Sequence, residues 1–253
     1  MMCTDVVLQW SFSPSNYFKK GFNASCDGHT LKIAPGKVEA LIDAETYESN
    51  PSLRGKLHSC LNIIFLAQHF STHTAYKLSQ PTKVVVHQNG RKDYFVELEP
   101  AIIRITGGSV DFQVTDKNGN VISDSAAKSL QIMEQLRQGA LAHASDELLL
   151  RLLQSYDAAV NDPNNELVHL YEIRDALAHK FGTEANARST LAIPNSIWSR
   201  LGRICNNEPL NQGRHRGQNA RTVLRDAGAD ELAEARGIVR NMIEAYLRYL
   251  PSR

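Results

Sequence analysis

The sequence predicts an α+β protein, with an N-terminal antiparallel, β-rich module carrying one long helix over residues 1–123 and an all-α helical bundle over residues 124–253. Three patterns predict it. The hydrophobic period changes several times in the first hundred-odd residues, with turn dipeptides between the changes. A single long apolar stripe at helical spacing interrupts those strands. Past Ser123 the strand signals stop, and leucines recur every three or four residues.

Residues 6–13 read as the first strand. Residues 31–33 and 38–42 bracket Pro35-Gly36, a turn dipeptide, and predict a hairpin. From Ser52 to Tyr76 the residues Leu53, Leu57, Leu61, Ile64, Leu66 and Phe70 predict a helix lying on the sheet, with Ser52 as its N-cap. Strands over 83–87 and 94–98 flank Asn89-Gly90, and strands over 102–106 and 110–115 flank Gly107-Gly108; such pairs supply the positive φ that tight hairpins need. A last short strand follows the turn at 116–120. Beyond it, Leu130, Met133, Leu136, Leu141, Leu148, Leu149, Leu152 and Leu153 mark one or two helices, and 161–165 is a loop. A helix over 166–181 ends at Gly182, a C′ residue. Two short helices over 184–191 and 196–205 are joined by a Pro194 turn, with Asn195 or Ser196 as the second cap. The final helix, 229–250, carries Leu232, Ala235, Val239, Met242, Ile243, Tyr246 and Leu250 on one stripe.

The composition, 42% hydrophobic and 22% charged, excludes a disordered or fibrous chain. A formal charge of +1 gives no whole-molecule attraction for nucleic acid or membrane, so such a preference has to come from a local patch. The opening Met1-Met2-Cys3-Thr4-Asp5 lacks a signal peptide's basic start, and no run approaches the roughly 18 apolar residues of a membrane span. A cytoplasmic protein without membrane contact is the expectation. Cys3, Cys26, Cys60 and Cys205 have no two-residue spacing, which argues against a zinc ribbon or redox pair, and they read as reduced thiols.

Four segments carry candidate chemistry. In Glu172-Ile173-Arg174-Asp175-Ala176-Leu177-Ala178-His179, an arginine is followed by an acid and, five positions on, a histidine. Between 200 and 225 there are six arginines against the single acid Glu208. Arg200, Arg203, Arg214, His215, Arg216 and Arg221 are candidate phosphate contacts, since glycines at 213 and 217 let backbone amides approach an anion and guanidinium binds phosphate in a fork. The bland alternative pairs those arginines with Glu231, Glu234 and other local acids. The helix-turn-helix over 184–206 has Trp198, Arg200 and Arg203 on its second helix, which suits either groove reading or simple packing. His69 and His73 share a helical face, with His58 near it; the glutamate of a metalloprotease is missing, and a hydrogen-bonded face is favoured over a metal. No phosphate loop, nucleophile elbow or dinucleotide fingerprint is present, so neither cofactor nor metal is expected.

The segment from Arg174 to His179 resembles the signature of HEPN domains, in which four to six residues separate an arginine from a histidine. Many members of that superfamily are metal-independent endoribonucleases of toxin and phage-defence systems. The resemblance implies a homodimer whose cleft collects Arg174 and His179 from both subunits, oriented by Asp175. There the 2′-hydroxyl of RNA would attack its own phosphate while the imidazole moves the proton and the guanidinium holds the phosphate oxygens. Five residues at 100° each set Arg174 and His179 about 140° apart on a regular helix. The other reading of the motif is therefore an interior arginine with a solvated C-terminal histidine favoured by the helix dipole. Two functions are expected: an RNA-acting helical unit with the Arg214 loop holding the strand, or a non-enzymatic regulatory or defence module. The second would contact nucleic acid or protein through residues 200–225, and in either case the β-rich half would sense or recruit a partner protein.

Overall fold

In the computed structural model, residues 3–87, 89, 91–95, 113–115, 121–216 and 223–251 are described. The chain forms an antiparallel sheet and then a series of helices, the α+β arrangement the sequence predicts. Two compact units emerge, one of residues 1–65 and 74–109 and the other of residues 66–73 and 110–253.

The first unit is built on β1 (Cys3–Ser13), β2 (Phe22–Cys26), β3 (His29–Ala34), β4 (Lys37–Asp43), β5 (Lys77–Leu78), β6 (Thr82–His87) and β7 (Lys92–Phe95). The strand order is β2-β3-β4-β1-β6-β7, and β5 pairs with the end of β1. On β1, Val6, Leu8, Trp10 and Phe12 are buried while the residues between them are less so, the alternation a one-sided strand requires. The register Val6↔Ile42, Leu8↔Ala40 and Trp10↔Val38 extends that apolar face across β4. It continues to Leu31 and Ile33 on β3. The first part of α2 (Leu53–Thr72) supplies Leu53, Leu57, Leu61, Ile64 and Phe65, all at most 0% exposed. The Trp10 indole donates to His58 Nδ1 at 3.1 Å, and Phe65 meets Phe12, Phe18 and Tyr17 with ring centroids 4.9–5.2 Å apart.

Gly36 has φ +72° at the β3–β4 turn, a conformation that costs a residue with a side chain. Sequence reading missed β2 and the six-residue α1 (Ala44–Ser49), which Asp43 caps through the Thr46 amide at 2.9 Å. The predicted strand over 102–106 lies outside the described residues, as do parts of those over 94–98 and 110–115.

The cysteines require a correction. Cys26 on β2 and Cys60 on α2 form a disulfide with Cα atoms 6.4 Å apart, in place of the reduced thiols expected. A separation of 34 residues in sequence says nothing of proximity in space, which the strand and helix create. Reducing it releases a closed loop, and the first unit should lose about 2–4 kcal/mol of stability. Urea unfolding with and without dithiothreitol measures this, and identical midpoints would dismiss the bond.

The second unit contains β8 (Gln113–Thr115) and β9 (Val121–Asp124), which pair with each other. It also holds α3 (Ser125–Ala142), α4 (Glu147–Asn161), a 3-10 turn (Pro163–Asn165), α5 (Glu166–Lys180), α6 (Glu184–Thr190), α7 (Asn195–Gly202) and α8 (Ala229–Tyr249). The last turns of α2 belong to this unit, because Phe70 and His73 pack on Tyr156 of α4. Asp146 caps α4 through the Leu149 amide at 2.7 Å. Pro194, rather than Asn195 or Ser196, occupies the cap position of α7. Leu149, Leu152, Leu153, Leu167, Leu170, Ile173, Leu177, Trp198, Leu201, Val239, Met242 and Ile243 make the core. Gly182, with φ +81°, ends α5. No helix among the described residues is long and apolar enough to cross a membrane.

Candidate functional site

Helix α5 presents two different faces to its surroundings. Leu167, Leu170, Ile173, Arg174 and Leu177 turn inward, while Glu172, Asp175 and His179 are exposed. Arg174 and His179 do not converge within one chain, because the regular helix keeps them on opposite sides.

Arg174 is only 7% exposed. Its guanidinium bonds the Tyr171 hydroxyl and, at 2.6 Å, Glu184 of α6. The guanidinium carbon lies 4.8 Å from the Tyr171 ring centre and 5.2 Å from that of Trp198. Gly202 of α7 packs against the same guanidinium, where a Cβ would stand 3.8 Å from its central carbon. These contacts enclose the side chain that the motif suggests for phosphate.

The arginine-rich segment begins on α7, whose backbone widens into a π-helical turn, Arg203–Asn207. The chain then reverses. Arg214 N–H donates to the Cys205 carbonyl at 2.9 Å and Gly213 N–H to Leu210 at 3.1 Å. A Cβ at Gly213 would stand 3.1 Å from the Cys205 oxygen and 3.3 Å from the Leu210 oxygen, so the close approach favours glycine. The excursion is also closed at its base, since Asn211 N–H donates to Arg225 at 2.9 Å and Arg225 N–H to Pro209 at 3.0 Å. Cys205 lies beneath this turn, where burial pushes its thiol up to about 12 and leaves it inert.

This turn delivers Arg214 to α5. Its guanidinium donates to Asp175 at 3.0 Å and lies 4.2 Å from the Tyr171 ring centre, the same ring that Arg174 touches. Asp175 and His179 are one helical turn apart on the exposed face, the spacing at which side chains are neighbours. The fold therefore joins the motif helix to the arginine loop, and the guanidinium sharing the face of Asp175 is Arg214 rather than Arg174.

The other arginines divide. Arg200 forms a two-pronged pair with Glu234 at 2.9 and 2.7 Å, and Arg225 one with Glu231 at 2.6 and 2.7 Å. The Arg225 guanidinium and the Gly228 amide hold the Glu231 carboxyl down to about 2. Arg216 bonds the Gly213 carbonyl at 3.0 Å and the Asn165 side chain. Arg203 is exposed and His215 half-buried. Arg221 lies outside the described residues. The positive segment is thus partly neutralised; among its described arginines, Arg203, Arg214 and the half-buried Arg216 have no two-pronged carboxylate partner.

Trp198, one candidate on the second helix of the helix-turn-helix, is 1% exposed and belongs to the core. His58 accepts from Trp10, His69 Nδ1 is 2.7 Å from Asp157 Oδ1, and His73 meets Tyr156 and Glu166. Among the described residues, no group of three or more His, Cys, Asp or Glu side chains is arranged to hold a metal ion. No family model, curated protein or solved structure matches the chain.

Proposed function

We propose that the helical unit acts on RNA as a metal-independent endoribonuclease, centred on His179, Asp175 and Arg214. The observation that carries this reading is the 3.0 Å pair between Asp175 of the motif and Arg214 of the arginine loop, on the α5 face that also bears His179. His179 takes the proton of the ribose 2′-hydroxyl as that oxygen attacks the adjoining phosphorus; the P–O5′ bond breaks to leave a 2′,3′-cyclic phosphate, and the imidazolium returns the proton to the departing 5′-oxygen. Arg214, stacked on Tyr171 and held by Asp175, presents its remaining N–H groups to the phosphate oxygens. Arg216, His215 and Arg203 extend the contact along the strand. Arg174 acts from beneath, fixing Tyr171 and α6, so its role is positioning. In this proposal two copies share a cleft, as the HEPN resemblance implies.

The experiment is incubation of the purified protein with tRNA in the presence of EDTA. Wild type should cleave. His179→Ala should lose about 100-fold or more, the ordinary worth of a proton-transferring group, and Arg214→Ala should lose cleavage and binding together. Binding without cleavage, lost in Arg214→Ala, would favour the second reading, a nucleic-acid-binding module; the enclosure of Arg174 already points that way. Cleavage unaltered in His179→Ala ends the nuclease reading.

A further inference from the structure

A second polar cluster lies in the helical unit, and it shares no residue with the Asp175–His179–Arg214 face. Four stretches of chain contribute: His73 from the end of α2, Tyr156 from α4, Glu166 from the first turn of α5, and Arg236 and Arg240 from α8. Arg236 and Arg240 are one turn apart, so both guanidiniums issue from the same side of their helix.

The contacts form a chain. Arg236 grips Glu166 with two hydrogen bonds at 2.5 and 2.8 Å. His73 Nε2 lies 3.6 Å from the same carboxylate, and its Nδ1 lies 3.4 Å from the Tyr156 hydroxyl. Arg240 Nε donates to that hydroxyl at 3.2 Å. The Glu166 side chain is 3% exposed, that of Arg236 25% and that of His73 17%, so the cluster is sheltered yet reachable at its cationic end.

The charges do not cancel. Glu166 balances Arg236, whereas among the described residues Arg240 donates to a neutral phenol. Asp157 is engaged by His69 at 2.7 Å, and Glu244, one turn on from Arg240, lies 3.9 Å from Arg248. Burial and the two guanidiniums push the His73 imidazole down to about 3, so it is neutral at physiological pH. A half-sheltered guanidinium with a neutral partner favours an anion, and its terminal N–H groups suit the oxygens of a phosphate.

His73 also has φ +48°, a left-handed conformation uncommon for a side-chain-bearing residue. That backbone turn closes α2, with His73 N–H donating to the His69 carbonyl at 2.8 Å, and it carries the ring to Tyr156 and Glu166.

We propose that Arg240, flanked by His73 and Tyr156 and backed by the Arg236–Glu166 pair, is the anchor of a binding site for a phosphate group. Tyr156 fixes the plane of the guanidinium through the Nε hydrogen bond, and the uncharged imidazole beside it adds no competing counter-charge. The phosphate could be free, on a nucleotide, or part of an RNA backbone, and the chemistry of capture is the same in each.

The test is calorimetric titration of the full chain with inorganic phosphate, with a 5′-mononucleotide, and with a short RNA lacking terminal phosphates. Saturable phosphate binding is expected, weakened about tenfold or more in Arg240→Gln and clearly less in Arg240→Lys, which retains the cation but not the guanidinium fork. Competition between phosphate and the short RNA assigns the site to a backbone; competition from the mononucleotide alone assigns it to a free ligand. Absence of saturable phosphate binding in wild type overturns the proposal. So does equal weakening by the Gln and Lys variants, both shown to be folded by circular dichroism. Because Arg240 is remote in sequence and contacts from His179, Asp175 and Arg214, failure of either site leaves the other standing.

Discussion

Glu166→Gln should lower the melting temperature of the helical unit by about 10 °C or more. The carboxylate is 3% exposed and takes both hydrogen bonds from Arg236, whose side chain is 25% exposed, so the amide leaves a partly buried guanidinium without its counter-charge. Breaking such a pair on one side costs about 3–5 kcal/mol, because the remaining charge has been taken out of water for nothing. For a unit of this size each kcal/mol moves the midpoint by several degrees. The exposed pair of Arg151 with Glu147, 3.9 Å apart, supplies the control, and Glu147→Gln should leave the melt unchanged. Replacing Glu166 and Arg236 together by leucine should cost less than Glu166→Gln alone, since no orphan charge then remains. A shift below about 2 °C for Glu166→Gln would show that water reaches the pair freely.

Arg174→Ala should destabilise the same unit by about 3–5 kcal/mol, through packing more than through charge. The Glu184 side chain, its acidic partner, is 54% exposed and returns to solvent at little cost. The aliphatic stem and guanidinium, in contrast, fill the space between Tyr171, Trp198 and Gly202. Arg174→Met refills most of that volume and should recover more than half of the loss. The two variants also separate structure from chemistry. If Arg174 only positions its neighbours, the Met variant keeps RNA cleavage within about tenfold of wild type while His179→Ala, with an unchanged melt, does not. Cleavage abolished in a stably folded Arg174→Met protein would return that guanidinium to the reacting centre.

The elements legible in the sequence are those whose burial is one-sided over a sufficient length. The alternation of Val6, Leu8, Trp10 and Phe12 and the helical stripe from Leu53 to Phe70 carry their own period, and Pro35-Gly36 marks the turn between β3 and β4. β2 escapes notice because Asn23 and Ser25 alternate with only one buried apolar residue, Ala24, and α1 is too short to show a period. The Cys26–Cys60 bond needed the strand and helix to be in place before the two sulfurs were neighbours.

The site was legible in pieces. Helical geometry alone separates Arg174 from His179, and the acids Glu231 and Glu234 at the start of the last helix foreshadow their pairing with Arg225 and Arg200. What no single segment contains is the meeting of Asp175 with Arg214, 39 residues apart, through a turn that Gly213 permits. The cluster around Arg240 is harder still, because each of its stretches contributes one or two polar residues to a different helix. The clue was the spacing of Arg236 and Arg240 beside the apolar stripe of α8.

The two backbone hydrogen bonds that Asn211 N–H donates to the Arg225 carbonyl and Arg225 N–H to the Pro209 carbonyl fasten the neck of the arginine-bearing excursion. With its neck tied, a chain excursion changes length cheaply, about 0.6 kcal/mol for each doubling. Residues inserted beside His215 would therefore alter reach and charge without disturbing the helices that anchor the neck. If the helical unit acts on RNA as proposed, substrate preference can diversify there while the scaffold stays constant.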